Sequence, residues 1–385
     1  MLSRPRTTPL VFALLAIASV AAAAWPPAGS TGNTRQGFAI TGRIEGLADG
    51  VELVLRNLGT GATLDRSVVT AGSFSFRGVL TEEPEELRII TSTEWVEKGM
   101  LHYTDLLIGN ENVSLVGHVD ELPRIRSSGS VTQSEAESYR EALHVKTSAV
   151  EQARVALDSI DADSAPDEQE RAHQRLATVQ AEVESWRARF VAENFDTYIG
   201  LLVHSYHKNL DHATLKRLFQ ELPAEMKASR LGQAVATEVA YPTPQVGDTF
   251  HDLEGLDDQG QTVLLSDLTD GWTLLQFASE GCYGSRLAVE AMKTLTGRYG
   301  EAVRFISFST DSRARWLRYV GESRVTWGSL WQEGGRHSEA FGRYGVTGTP
   351  TFFLIAPGGE VVATWFGHSD GKIEEEIERA FDQRS

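Results

Sequence analysis

The stretch Thr273-Leu-Leu-Gln-Phe277-Ala-Ser-Glu-Gly281-Cys282-Tyr-Gly-Ser285 runs from an apolar segment through a small polar loop, and Arg286 to Tyr299 follows it with amphipathic spacing. The first part reads as a buried strand and the last as a helix. Cys282 therefore falls at a strand-to-helix junction. Unpaired backbone N–H groups and the positive end of the helix dipole favour thiolate over thiol at such a place. Ser285, one helical turn further on, is placed to donate a hydrogen bond to that sulfur.

Downstream, Val303-Arg-Phe-Ile-Ser-Phe308 reads as a second core strand and Arg313 to Glu322 as a helix. Pro350 opens an apolar strand after Gly348-Thr349, a position where a trans proline is awkward; a cis peptide at Thr349–Pro350 would account for it. A Pro357-Gly-Gly359 turn, a strand from Glu360 to Phe366 and an acidic helix starting near Gly371 close the chain. Strands alternating with helices predict an α/β domain over residues 241–385, opening at the linker Tyr241-Pro-Thr-Pro244.

Four segments together resemble the thioredoxin superfamily: Leu274-Leu-Gln-Phe277, Cys282-x-x-Ser285-Arg286, Gly345-Val-Thr-Gly-Thr-Pro-Thr-Phe-Phe-Leu-Ile355 and the lead-in Gln245-Val-Gly-Asp-Thr-Phe250. With Asp258 to Leu268 they are similar to the TlpA/ResA-like extracytoplasmic thiol–disulfide oxidoreductases, grouped with AhpC/TSA-type domains. The resemblance covers roughly residues 243–385 and implies a thioredoxin fold. It implies that Cys282 is the attacking cysteine, that Ser285 holds the resolving position, and that Pro350 is the cis-proline facing the thiol. Thr349 would then offer its backbone to a bound substrate chain. Gly281 replaces the usual tryptophan, Tyr283-Gly284 replaces Gly-Pro, and Gln276 stands where thioredoxin buries an acid.

Two-thiol turnover needs a second cysteine to resolve the mixed disulfide, and this chain has one cysteine in all. The first reading is a monothiol protein that forms mixed disulfides with client thiols or disulfides, with an external thiol reductant as resolver. The second is a redox-inactive thioredoxin-fold binding or scaffold protein, since fold alone does not establish chemistry. The third is a one-cysteine peroxidase, suggested by Ser279-x-x-Cys282. Iron–sulfur binding fits worst, because monothiol glutaredoxins carry Gly-Phe inside the motif. No cofactor and no metal set is expected.

Arg4 and Arg6, the apolar run Leu10 to Val20 and the small residues Ala21 to Ala24 predict a signal peptide over residues 1–24, hence a periplasmic or secreted protein. An uncleaved anchor is the alternative; after cleavage no membrane span is expected. Residues 25–36 read as a flexible leader. A formal charge of −17 argues against nucleic acid and anionic membranes as partners. A single exported thiol also suffices to join two copies into a disulfide-linked homodimer.

Between leader and α/β domain, short alternating runs with Gly-rich breaks predict a small antiparallel β-sandwich over residues 37–127. The runs are Phe38–Ile44, Val51–Leu55, Ser67–Val69, Ser73–Phe76, Leu87–Ile90 and Val113–Val116. Residues 128–240 read as an α-helical segment: an antiparallel pair, Ser134–Ile160 and Asp167–Phe190, then helices at Thr197–His207 and Ala213–Val239 broken at Pro223. His204 and His207 have a spacing that suits a metal on a helix, but no third ligand is close in sequence, so ordinary boundary histidines are expected. Trp95, Trp327 and Trp331 are expected in cores rather than along a peptide groove.

Overall fold

The computed structural model describes residues 37–81, 84–160 and 166–383; the signal and leader segments lie outside them. The described residues belong to one compact unit.

Eight strands build the first part: β1 (Phe38–Glu45), β2 (Glu52–Asn57), β3 (Thr63–Val68), β4 (Ser73–Gly78), β5 (Glu85–Thr91), β6 (Tyr103–Ile108), β7 (Asn112–His118) and β8 (Ser127–Ser128). They form two sheets, β4-β1-β7-β8 and β3-β2-β5-β6. Alternate residues such as Ile40, Phe76 and Leu115 from one sheet and Leu55, Leu87 and Leu106 from the other fill a single core. Gly42 is required there, because a Cβ would come within 2.1 Å of the Phe74 ring. The pairing departs from the antiparallel expectation once: β1 and β7 run parallel. Strand β6, which the alternation did not signal, reverses the chain once more and brings β7 in alongside β1 with the same sense. Trp95, on the one-turn helix α1 (Thr93–Glu97), packs against this core as expected.

Helices α2 (Val131–Asp158) and α3 (Pro166–Glu193) form the long pair. Tyr139, early in α2, packs on Trp186 and Phe190, late in α3, at ring separations of 5.7 and 4.7 Å, which makes the pair antiparallel. Helices α4 (Tyr198–His207), α5 (His212–Glu221), α6 (Ala224–Ala228) and α7 (Arg230–Ala240) follow. Their starts are written in the sequence: Ser130, Thr197, Asp211 and Ser229 each accept a backbone N–H as N-caps.

The last part has the strands β9 (Glu254–Leu256), β10 (Thr262–Leu264), β11 (Trp272–Ala278), β12 (Val303–Ser309), β13 (Gly328–Trp331), β14 (Thr351–Ile355) and β15 (Val361–Phe366). Interleaved with them are α8 (Tyr283–Tyr299), α9 (Arg313–Ser323), α10 (Glu339–Arg343) and α11 (Lys372–Asp382). The sheet order is β10-β9-β13-β12-β11-β14-β15, with β11 parallel to β12 and antiparallel to β14. This is a thioredoxin fold. Leu274 and Phe352 meet α8 and α11 on one face, while Leu275, Phe277 and Phe353 meet Phe341 and Tyr344 on the other. Trp327 and Trp331 are anchored rather than arrayed along a groove: their Nε1 atoms donate to Ser307 Oγ and the Asp311 carbonyl, at 2.8 and 2.7 Å.

Candidate active site

Buried strand β11 ends at Ala278, and Cys282 is the N-cap of α8. The loop between them is clamped. Asp311, just past β12, accepts from Ser279 Oγ at 3.0 Å, from the Glu280 backbone N–H at 2.7 Å and from Ser309 Oγ at 3.2 Å. The Ser285 hydroxyl, almost fully buried, accepts from the Ser279 N–H at 3.3 Å. The Cys282 N–H returns to the Ser279 carbonyl at 3.0 Å. A turn held at so many points presents one sulfur in one place.

The four residues predicted for the site come together. Cys282 Sγ, half-exposed, donates in its thiol form to the Thr349 carbonyl at 3.0 Å. The Thr349–Pro350 peptide is cis. The Pro350 ring packs beside Gly284, where a Cβ would stand 3.3 Å from the proline Cδ and 3.9 Å from Sγ. A glycine at 284 thus lets proline and sulfur share the helix start. Burial works to raise the Cys282 pKa, but the Ser285 backbone N–H and hydroxyl, Thr349 and the Gly284 N–H outweigh it and hold the thiol below its ordinary value. Gln276 is fully buried beneath the motif, its Oε1 accepting from Ser307 Oγ at 2.9 Å, so no carboxylate stands there.

Asp311, Glu280 and Arg315 complete the surroundings and were not singled out by the sequence. Arg315 Nε donates to Glu280 Oε2 at 2.7 Å. The signal that could have found them is Ser309-Thr-Asp311 at the end of a core strand, where an aspartate has loop N–H groups to accept. Outside the clamp, Tyr283, Leu287 and Phe366 leave apolar surface exposed.

Residues 246–364 match the AhpC/TSA family model. That segment is an AhpC/TSA-like module. A comparison with curated proteins finds no match. Among solved structures, the thioredoxin domain of a thiol-disulfide oxidoreductase from Bacteroides vulgatus is similar at 21% identity, covering 34% of this chain and 98% of its own, with a TM-score of 0.32. A thiol:disulfide interchange protein from Bacteroides sp. is similar at 20% identity, covering 35% and 90%, TM-score 0.33. Peroxidoxin BcpB from Mycobacterium tuberculosis is similar at 22% identity, covering 37% and 99%, TM-score 0.33.

The matched segment thus contains Cys282, Ser285, Thr349 and Pro350. His204 and His207, outside it, do not converge on a ligand. His204 is fully buried with Nε2 at 3.3 Å from Glu238, and Lys208 Nζ lies 2.7 Å from the same carboxylate. Among the described residues no group of three or more His, Cys, Asp or Glu is arranged to hold a metal. Nor is any described helix long and apolar enough to cross a membrane.

Proposed function

We propose that the protein is an exported monothiol oxidoreductase in which Cys282 attacks client disulfides, or is captured by them, and an external thiol resolves the mixed disulfide. One observation carries this reading: Sγ sits at the start of α8 with its pKa lowered by Ser285, beside Thr349 and the cis Pro350. Ser285 supplies a hydrogen bond where a second cysteine would supply a thiol. The thiolate cuts a disulfide, the released half leaves as a thiolate, and the protein stays bonded to the other half until an outside thiolate displaces it. In this reading Thr349 and Pro350 position the client chain against the sulfur.

The peroxidase reading loses support at Ser279, whose hydroxyl donates to Asp311 rather than toward the sulfur. Export to the periplasm or beyond, and covalent pairing of two copies through Cys282, belong to the same proposal. The test is alkylation of the native protein by iodoacetamide as a function of pH, combined with capture of disulfide-linked partners from intact cells against a Cys282→Ser background. A sluggish thiol that titrates at the free value of about 8.5 and captures nothing would leave only the scaffold reading.

A further inference from the structure

The turn between β2 and β3 comes from the sandwich at the far end of the sequence, yet it faces the loop that carries the thiol across one cavity. Leu58 to Gly61 form one wall of a cavity of about 260 Å³ whose opposite wall includes Ser279, Arg315 and Thr349. Cys282 itself is not in the lining, but Ser279 and Thr349 are the residues whose carbonyls bond to the Cys282 N–H and Sγ, so the cavity lies one residue away from the sulfur.

This wall is built, not draped. The Leu58 N–H donates to the Glu86 carbonyl at 2.8 Å, and the Thr60 N–H to Asn57 Oδ1 at 2.9 Å. The Asn57 side chain also bonds to the Glu85 carboxylate. At Gly335 a Cβ would lie 2.6 Å from the Gly59 carbonyl oxygen, so the turn and the AhpC/TSA module touch backbone to backbone.

The cavity is smaller than the roughly 300–1,000 Å³ of pockets for drug-sized ligands, which excludes a folded client. Its polar anchor is Arg315. The guanidinium nitrogens stand 3.7 and 3.8 Å from where a Cβ on Gly281 would be, one residue before the thiol. Its Nε is committed to Glu280 at 2.7 Å and lies 3.9 Å from Asp311 Oδ1, whereas both terminal nitrogens lack a hydrogen-bond partner among the described residues. Asp311, the carboxylate on the same wall, has both oxygens occupied by Ser279, Glu280 and Ser309. A planar guanidinium whose Nη1/Nη2 edge is free matches a carboxylate.

We infer that this cavity receives the carboxylate end of a small anionic disulfide, making low-molecular-weight thiol acids the exchange partners of Cys282. The inference rests on the monothiol reading and names its small-molecule substrate. The Cys282 thiolate attacks one sulfur of the small disulfide, its S–S bond breaks, a Cys282–S–S–R bond forms, and the other half leaves as a thiolate. The disulfide is itself the oxidant, so the step balances. Reversed, a second small thiol acid releases the protein thiol.

The test measures the rate at which the full chain gains the mass of one half-disulfide from dithiodipropionate, hydroxyethyl disulfide and cystamine, which are anionic, neutral and cationic. The anionic reagent is expected to react at least about fivefold faster than the cationic one at about 0.15 M salt, where the field of the net −17 charge is screened and the close contact with Arg315 is not. Arg315→Gln should collapse that ratio toward one, and Arg315→Lys should restore part of it. Thr60→Trp, which fills the cavity from the sandwich side, should slow dithiodipropionate relative to iodoacetamide; Thr60→Gln does so by a smaller step should the tryptophan disturb folding. Equal rates for the three disulfides, or a ratio that Arg315→Gln leaves intact, overturn the substrate assignment while the monothiol reading stands. Failure of all three disulfides against a thiol that iodoacetamide alkylates overturns both.

Discussion

Removing one hydroxyl, in Ser285→Ala, tests whether the sulfur is held as an anion by its neighbours. In the native site Ser285 contributes both its N–H and its hydroxyl to lowering the Cys282 pKa, against burial, which raises it. The substitution deletes only the hydroxyl. A hydrogen bond to a charged group is worth about 1.5–3 kcal/mol when nothing replaces it. Cys282 is only half-buried, so water takes over part of that role, and a net loss of about 1 kcal/mol is the working figure. At about 1.4 kcal/mol per factor of ten, the thiolate-to-thiol ratio falls roughly fivefold. The sign is fixed: losing a donor to the anion raises the pKa, so reactivity at neutral pH drops. Alkylation by iodoacetamide should therefore be about fivefold slower well below the midpoint and converge with the native rate well above it. Thermal melting serves as the control, because the Ser279 N–H also loses its acceptor. A rate lost equally at every pH would mean blocked access, and no loss at any pH would mean that Ser285 does not touch the ionisation; either result refutes the argument.

Ser285→Cys places a second thiol one turn along α8 and should confer insulin reduction in a turbidity assay that the native chain lacks. Gly335→Ala puts a Cβ against the Gly59 carbonyl oxygen at a φ of +58°. It should cost about 2 kcal/mol in denaturant unfolding and should loosen the turn that walls the cavity. Stability should fall in acid through two groups. His337 is lowered to about 3, first by burial and then by Arg230, Arg336 and Lys208; it favours folding above its ordinary 6.5, and that gain is lost as pH falls from 6.5 through 3. Glu238, which burial alone would raise, is held at about 2 by His204 and Lys208, so its contribution is lost between 4.5 and 2. His337→Asn should flatten the upper part of this acid limb in melting temperatures measured against pH; an unchanged limb would remove His337 from the account.

What the sequence displays is what local physics encodes. Alternation in Phe38–Ile44 and Ser73–Phe76, caps at Ser130, Thr197 and Asp211, and the change from apolar run to helix at Cys282 each describe one element and its ends. Strand β13 escaped notice because Leu330 is its one fully buried residue. Strand β6 escaped because Tyr103-Thr-Asp-Leu-Leu-Ile108 is buried on consecutive residues at its end and so shows no alternation. The site divides the same way. Cys282, Ser285, Thr349 and Pro350 follow from the motifs and the resemblance they carry, but the wall from Leu58 to Gly61 meets Ser279, Arg315 and Thr349 across more than two hundred residues of chain. No periodicity reports such a meeting. It depends on long-range packing of groups that read individually as an ordinary glycine turn and a surface arginine.

Arg336 shows what holds that meeting in place. Its guanidinium lies 3.7 Å over the Tyr206 ring, from α4, and its Nη2 donates to the Thr347 carbonyl, just ahead of the Thr349–Pro350 strand start, at 3.3 Å. The Tyr206 hydroxyl donates to Glu86 Oε2, on β5, at 2.8 Å. One cation thus ties helical segment, sandwich and AhpC/TSA module together around an enclosed carboxylate. Burial raises the Glu86 pKa above its ordinary value, while Tyr206 and Arg336 pull it back. Arg336→Met keeps much of the apolar stem but removes the charge, so the anionic form of Glu86 loses support and its pKa rises further. Where Glu86 is protonated in both proteins, the variant loses little from this source. As pH climbs past the native folded pKa, the native protein carries the charge with Arg336 and Tyr206 beside it, whereas the variant keeps Tyr206 but loses the cation, so it holds the charge with less support or stays protonated at growing cost. The melting-temperature gap between native and Arg336→Met should therefore widen as pH rises above the ordinary carboxylate range. A gap that stays constant over that rise would mean that Arg336 acts through packing on Tyr206 alone, and that the junction beside the thiol is held by shape rather than by charge.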